Sequence, residues 1–218
     1  MAAGEGRRLR PLTERWPKPV LPIDGRAVVA TVVRTLAEAG CERVTVVTGH
    51  LAEQVETLLG DGSGFSVELR YARQPRPDGS ADAVARGLAA GAEPPLLVTT
   101  ADTVFAPADV ARFAAGPAPA VAVRRDPPSG GSVEVLEGHV LSIGGSGGPL
   151  VHASLWSLTP ELTAYLEGLP GPPFELAEAY NRAIADGHEV SALEVGRTRD
   201  LTDPLDLVEE NFPYLRDV

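Results

Sequence analysis

The opening segment of the chain combines two glycines with a cluster of basic side chains. The glycines are Gly4 and Gly6, and the cations between residues 7 and 18, opposed there only by Glu14, are Arg7, Arg8, Arg10, Arg15 and Lys18. Glycines allow a tight turn that aims backbone N–H groups at an anion, and the cations neutralise its charge. The pattern favours polyphosphate binding, although a solvated basic loop has the same composition.

A carboxylate follows the apolar segment 96–100, which is short and reads as a buried strand. Ligands of open α/β sheets collect at the carboxyl ends of strands, and Asp102 stands at that position. An acid there is well placed to hold Mg²⁺ against phosphate oxygens. The alternative role for Asp102 is to cap the next helix.

Hydrophobic spacing predicts the elements that position these residues. Helices are predicted over 28–39, 51–59 and 80–90, and strands over 44–48, 67–71 and 96–100. Their alternation predicts an α/β fold with a doubly wound, mostly parallel sheet. In the second half, strands predicted over 120–123, 133–136, 140–143 and 151–158 indicate an antiparallel extension. Helices over 161–169 and 174–186, a strand over 190–195 and a closing helix over 204–210, capped by Asp203, are predicted to follow.

Composition excludes several classes of protein. With 44% hydrophobic and 22% charged residues the chain can bury a core, and its net charge of -11 argues against nucleic-acid or anionic-membrane partners. Cys41 is the only cysteine, which argues against a disulfide framework or thiolate cluster, and no apolar stretch is long enough to cross a bilayer. We therefore expect a soluble cytoplasmic protein.

The opening motif carries a family resemblance. Residues 2–13, AAGEGRRLRPLT, followed by Pro-Lys-Pro at 17–19, resemble the signature of the sugar-1-phosphate nucleotidylyltransferases. The resemblance implies the Rossmann-like fold of nucleotide-diphospho-sugar transferases. It also implies that Ala3, Gly4 and Gly6 bind a nucleoside triphosphate, that Arg8 holds the departing pyrophosphate, and that Lys18 contacts the α-phosphate.

Residues 74–83 are similar to a stretch of the glucose-1-phosphate thymidylyltransferases. That likeness implies that Gln74 reads a pyrimidine base, since an amide donates and accepts hydrogen bonds at once, and that Gly79 lets the base lie close. The expected nucleotide is dTTP or UTP. The alternative for this segment is an ordinary strand-to-helix loop in which Ser80 caps the helix.

Three acids complete the site that the resemblance implies. Asp102 matches the family's metal ligand although Ala101 replaces the usual glycine, and Asp200 matches a second metal contact in a degraded segment. Glu175, at the start of a predicted helix, matches an acid that contacts sugar hydroxyls, although acids at helix starts also serve the helix dipole. The implied cofactor is Mg²⁺.

Two departures from the family pattern carry expectations. The family's Glu-Lys-Pro, whose lysine grips the sugar phosphate, is replaced by Ile-Gly-Gly-Ser at 143–146. Either Arg124, Arg125 or Arg199 substitutes for that lysine, or the acceptor is not an ordinary hexose 1-phosphate. The family's first strand should precede Ala2, so we expect the true start codon upstream of Met1.

The leading hypothesis is a Mg²⁺-dependent nucleotidylyltransferase that joins UTP or dTTP to a sugar 1-phosphate and releases pyrophosphate. Its partners would be the triphosphate and a small phosphorylated acceptor, and a homo-oligomer is compatible with the sequence. We expect one domain over 1–218, with a nucleotide-binding half at 1–115 and an acceptor-binding half at 116–218.

The alternatives are a catalytically silent homologue and a transferase for a non-sugar phosphate such as phosphocholine. A Rossmann oxidoreductase is disfavoured because Leu9 replaces the third glycine of its motif.

Overall fold

Helices and strands alternate along the first half of the chain, in a computed structural model that describes residues 1–125, 131–145 and 148–212. In chain order the first-half elements are β1 Pro22–Ile23, β2 Arg26–Ala27, α1 Val28–Glu38, β3 Arg43–Thr48, α2 Ala52–Leu59, β4 Glu68–Arg73, α3 Ser80–Ala89, β5 Leu96–Thr99, β6 Thr103–Val104 and α4 Pro107–Ala114. Four 3₁₀ turns lie among them, at Arg7–Leu9, Leu12–Glu14, Lys18–Val20 and Ser63–Phe65.

Strands dominate the second half. Its elements are β7 Ala120–Arg125, β8 Ser132–Leu136, β9 His139–Gly145, β10 Leu150–Leu158, a 3₁₀ segment Pro160–Leu166, α5 Leu176–Ala185, β11 Ser191–Glu194, β12 Arg199–Asp200 and α6 Pro204–Asn211. Ser146, the last residue of the segment that replaces the family's Glu-Lys-Pro, lies outside the described residues.

The principal sheet has six strands in the order β5-β10-β7-β11-β9-β8. β10 is antiparallel to both β5 and β7, so β5 and β7 run in the same direction, and β11 is parallel to β7. β3 and β4 form a parallel pair. The fold prediction of a mixed α/β sheet with an antiparallel extension is confirmed.

Residues 1–3 join these two sheets. The Ala2 N–H donates to Val47 O of β3, and on the other side the Ala101 N–H, just beyond β5, donates to Met1 O. Both contacts have parallel geometry, so the carboxyl ends of β3, β4, β5, β7 and β11 face one edge of the molecule. The loops that leave this edge carry most of the predicted site residues.

A cavity of about 570 Å³ lies between β3 and β5, with Met1 in its wall. Both strands line it, together with the inward face of α1. The Met1 amino group donates to Thr99 O at 2.7 Å, and burial lowers the pKa of this amine to about 6 despite the opposing charge of Asp102.

The core is built from the apolar faces that the helical spacing predicts. Val28, Val29, Val32 and Val33 of α1 are buried, and α5 buries Tyr180 against the sheet. The Tyr180 hydroxyl donates to Ser157 O at 2.8 Å, which satisfies the one polar group that this ring carries inward. None of the helices in the described ranges is long and apolar enough to cross a membrane.

One helix prediction needs correction, and one helix was missed. The segment predicted as a helix over 161–169 is a 3₁₀ segment, Pro160–Leu166, and it ends before Gly168 and Pro170. Helix α4 was not predicted, although Pro107 at its first turn is a typical start. The closing helix is as predicted: Asp203 accepts from the backbone of Leu205 and Asp206 in a capping box.

Candidate active site

The amino-terminal loop is held in shape by side chains from its neighbours. Gly6 has a φ of 61°, and a Cβ there would come within 2.8 Å of the Thr13 methyl group. The Thr13 hydroxyl donates to Gly6 O at 2.9 Å, and His50 Nε2 lies 2.6 Å from Thr13 O. Gln54 adds a hydrogen bond from Nε2 to Arg15 O at 2.9 Å. The loop is therefore a rigid turn fastened to the start of α2.

The cations of this loop are unequally engaged. Arg7 and Arg10 both contact the Glu5 carboxylate, at 2.8 and 3.5 Å. Arg8 is exposed on the first 3₁₀ turn and makes no ion pair in the described part of the chain. Of the residues expected to hold the triphosphate, Gly4 is exposed and Ala3 is buried, with Ala3 O accepting the His50 N–H. Arg8 and Arg15 are thus the loop arginines that make no ion pair among the described residues, and the Arg15 guanidinium lies over the Trp16 ring.

Lys18 and Asp102 form an ion pair, with Nζ 2.5 Å from Oδ2. The Lys18 side chain is 15% exposed and that of Asp102 is 31% exposed, so water screens the pair only in part. Burial raises the pKa of Asp102 and the Lys18 ammonium lowers it, and the net pKa lies below the ordinary value. The carboxylate is ionised at neutral pH, and one ammonium stands beside it at the carboxyl edge of the sheet.

Asp200 lies next to Asp102 through strand pairing. In the β6–β12 pair Asp200 is opposite Thr103, and the Leu201 N–H donates to Asp102 O at 3.3 Å. The Asp200 carboxylate accepts from Thr198 Oγ1 at 2.6 Å. Asp102 therefore does not cap a helix, because β6 follows it directly.

The two acids fit a magnesium ion better than a structural metal cage. Among the described residues no group of three or more potential metal ligands is placed to hold an ion. Mg²⁺ is usually bound through one or two carboxylates, with water and substrate phosphates completing its shell. Asp102 and Asp200 supply that number of carboxylates, beside a loop suited to phosphate.

Gln74 follows β4 and is almost fully buried, with 4% of its surface exposed. Its Nε2 donates to Gly79 O at 2.9 Å and to Asp82 Oδ2 at 2.8 Å. Both partners only accept, so the nitrogen must face them, and the carboxamide oxygen has no partner among the described residues. Arg86 Nε donates to the same Asp82 oxygen at 2.7 Å. The Gln74 nitrogen is therefore engaged within the protein, and the carboxamide oxygen is the atom left to accept a hydrogen bond, whereas the sequence-based expectation used both atoms.

Gly79 is in close contact with the loop before α5. Its φ is 113°, and a Cβ there would lie 2.2 Å from Phe174 O. The Phe174 N–H donates to Asp78 O at 2.7 Å, and Phe174 O accepts the Ala81 N–H at 2.8 Å. The backbone of Phe174 thus occupies the space beside Gly79, which is a packing reason for glycine in addition to the expected contact with a base.

The prediction that Ser80 caps α3 is wrong. Gly79 is the N-cap residue and no side chain caps this helix. Ser80 Oγ instead accepts the Leu176 N–H at 2.7 Å and donates to Glu175 Oε2 at 2.6 Å. Ser80 therefore ties the start of α3 to the start of α5, and it holds the exposed Glu175 carboxylate close to the Gln74 loop.

Replacing Gly79 with alanine is expected to lower the free energy of unfolding by about 3 kcal/mol, through backbone strain and collision with Phe174. Urea denaturation measures this change. Gly187→Ala is the matched control, because Gly187 has a φ of 95° with nothing within 4 Å of a Cβ. Equal losses in the two variants would show that contact with Phe174 contributes nothing.

The fold and the site together define a class of protein. A glycine-rich loop, the Lys18–Asp102 pair and a second acid, Asp200, lie at the carboxyl edge of the parallel strands, which is the edge where open α/β sheets bind their ligands. The family model described as "Nucleotidyl transferase" matches residues 1–122, more than half of the chain. The chain belongs to this family.

Curated relatives match parts of the chain. An N-acetylmuramate alpha-1-phosphate uridylyltransferase of Neisseria meningitidis is 35% identical over 107 residues, 48% of this chain and 46% of that protein. A 2-aminoethylphosphonate cytidylyltransferase of Lancefieldella rimae is 48% identical over 54 residues, 25% of this chain and 22% of that protein. The chain spans less than half the length of these relatives.

A solved structure extends the likeness in fold to the whole chain. A UDP-glucose pyrophosphorylase complexed with UDP-glucose superposes with a TM-score of 0.82 at 22% identity, and the match covers 100% of this chain and 97% of that one. At this identity the likeness shows the fold, which confirms the expected nucleotide-diphospho-sugar transferase architecture.

Proposed function

We propose that the protein is a Mg²⁺-dependent nucleotidylyltransferase that transfers a nucleoside monophosphate to a sugar 1-phosphate. An oxygen of the acceptor phosphate attacks the α-phosphorus of the triphosphate in line. The bond from that phosphorus to the bridging oxygen breaks, and pyrophosphate leaves with the electron pair. Transfers of this kind depend mainly on positioning and on neutralising charge.

The observation that carries the proposal is the Lys18–Asp102 pair beside the glycine-rich loop. An ammonium that is largely buried is well suited to an α-phosphate, because weak screening strengthens its attraction to developing charge. Arg8 would bind the departing pyrophosphate, and Asp102 and Asp200 would hold Mg²⁺. The metal would neutralise phosphate charge and orient the oxygens.

The pyrimidine preference rests on Gln74. Its carboxamide oxygen is the atom left to accept a hydrogen bond, which the N3–H of uracil or thymine donates. Because the amino group of cytosine donates as well, the preference also rests on the likeness of residues 74–83 to the thymidylyltransferases. We therefore favour UTP or dTTP. In this proposal residues 1–115 bind the nucleotide and residues 116–218 bind the acceptor, within one cytoplasmic domain.

A second candidate is transfer to a non-sugar phosphate or phosphonate. It is favoured by the Ile-Gly-Gly-Ser at 143–146 in place of Glu-Lys-Pro and by the 48% identity to a phosphonate cytidylyltransferase. A catalytically silent homologue is disfavoured, because such a protein has little need to keep Lys18 paired with Asp102.

Release of pyrophosphate tests the proposal. The protein is incubated with Mg²⁺, each of UTP, dTTP, CTP and GTP, and each of glucose 1-phosphate, N-acetylmuramate 1-phosphate, phosphocholine and 2-aminoethylphosphonate. We expect turnover with UTP or dTTP and a sugar 1-phosphate. Turnover restricted to phosphocholine or the phosphonate supports the second candidate, and none with any pair contradicts both.

A further inference from the structure

We propose that Arg124 binds the phosphate or phosphonate group of the acceptor, an inference that rests on the proposed function. The ligand class is a small molecule that ends in a tetrahedral dianion. The guanidinium is planar and donates two parallel hydrogen bonds, a geometry that matches two oxygens of such a group.

The strand order places Arg124 beside the site, on one side of β5. Arg124 lies near the carboxyl end of β7, and β10 separates β7 from β5, which leads into Asp102. Two strand spacings place it about 10 Å along the sheet from β5. The glycine-rich loop follows residues 1–3 on the opposite side of β5. In-line transfer requires the acceptor and the leaving pyrophosphate on opposite sides of the α-phosphorus, and Arg124 is on the acceptor side.

Arg124 also lies close to Asp200, one of the proposed metal ligands. Arg124 Nη2 lies 3.8 Å from Asp200 Oδ2, which is longer than a direct hydrogen bond, and the Arg124 side chain is 26% exposed. The same Asp200 oxygen is already 2.6 Å from Thr198 Oγ1. A dianion that enters beside Asp200 would therefore meet a half-buried guanidinium at close range.

The other two candidate arginines lie elsewhere in the fold. Arg125 is 69% exposed and contacts Glu194 at 3.1 Å on the rim of the sheet. Arg199 is bonded on one side to Asp24 and on the other to Glu210, whose Oε2 lies 2.5 Å from Arg199 Nε. Arg199 therefore fastens β12 to α6 and to the β1–β2 turn. Of the three candidates, Arg124 has the location for substrate.

The variants Arg124→Ala, Arg124→Lys and Arg125→Ala test this assignment, the last being the matched control with the same loss of charge one residue away. Each full-length protein is loaded with Mg²⁺ and a non-hydrolysable UTP analogue. Calorimetry then measures the Kd of α-D-glucose 1-phosphate and, separately, of 2-aminoethylphosphonate. The two probes distinguish a phosphate ester from a phosphonate source of the dianion.

Wild-type protein is expected to bind at least one probe, and Arg124→Ala to weaken that binding about tenfold to a hundredfold. Arg124→Lys should fall between the two, because it keeps the charge and loses the paired donors. Arg125→Ala should stay within about twofold of wild type. The Kd of the UTP analogue should not change in any variant, whereas a variant that lost its fold would also lose binding of the analogue.

Unchanged probe binding in Arg124→Ala would overturn the assignment, as would failure of both probes to bind wild-type protein loaded with nucleotide. Weaker binding of the UTP analogue in Arg124→Ala would assign the residue to the nucleotide instead. Failure of wild-type protein to bind either this analogue or the corresponding dTTP analogue would contradict the proposed function, and the assignment with it. Binding of analogue and probe without turnover would contradict only the proposed catalysis.

Discussion

Replacing Lys18 with alanine is expected to lower kcat/KM by about a hundredfold to a thousandfold, the usual cost of removing one preorganised electrostatic contact to a transition state. The Lys18 side chain is 15% exposed, so little water is available to replace the ammonium. Lys18→Arg should restore little, because a planar fork does not fit the place of a compact ammonium. Steady-state pyrophosphate release, with the best substrate pair of the panel, measures both effects.

The control for Lys18 is Arg70→Ala, which removes a cation from an exposed pair with Glu68 on β4. Its activity should equal that of wild type. Thermal denaturation checks the fold, because Lys18→Ala leaves Asp102 without its counter-charge, and Lys18→Met keeps the apolar stem if alanine proves unstable. Lys18 is the only lysine of the sequence, and full activity of Lys18→Arg would make it an accident of composition.

Replacing Asp102 with asparagine is expected to lower kcat about a thousandfold at saturating nucleotide, because one of two carboxylates for Mg²⁺ is lost and Lys18 loses its partner. The Mg²⁺ concentration for half-maximal activity should rise as well. Titration of activity with MgCl₂ separates the two effects. Removal of the metal with EDTA should abolish turnover of wild-type protein.

Two comparisons sharpen the Asp102 result. Asp200→Asn should raise the Mg²⁺ requirement with a smaller loss of kcat, because its carboxylate is shared with Thr198 and Arg124. Asp186→Asn, at the end of α5 and bonded to the Tyr165 hydroxyl, should change neither quantity. An Asp102→Asn variant with a normal Mg²⁺ requirement would show that this acid does not hold the metal.

The sequence predicted the elements well where each has one clear hydrophobic face. The valines of α1 and the β-branched run of β3 are local signals. Both elements begin and end within one residue of their predicted limits. The segment after Pro160 was misjudged because its apolar spacing suits both an α-helix and a 3₁₀ helix, and no local signal separates the two.

The contacts of the site were harder to predict, because they join residues far apart in the chain. Lys18 and Asp102 were each identified from a local motif, but their pairing spans 84 positions and depends on residues 1–3 lying between the sheets. His50 and Gln54 brace the opening loop through backbone oxygens, which no motif reveals. The residue beside Gly79 is Phe174, brought there by the start of α5.

The most direct test of nucleotidyl transfer follows the α-phosphorus. Protein, Mg²⁺, α-³²P-labelled UTP or dTTP and an acceptor that releases pyrophosphate are incubated, and the products are separated by chromatography. If the protein transfers the nucleotidyl group, the label enters a new compound that contains the acceptor, and one molecule of this compound forms for each pyrophosphate released. Label recovered as free nucleoside monophosphate, or remaining in the triphosphate, would contradict it.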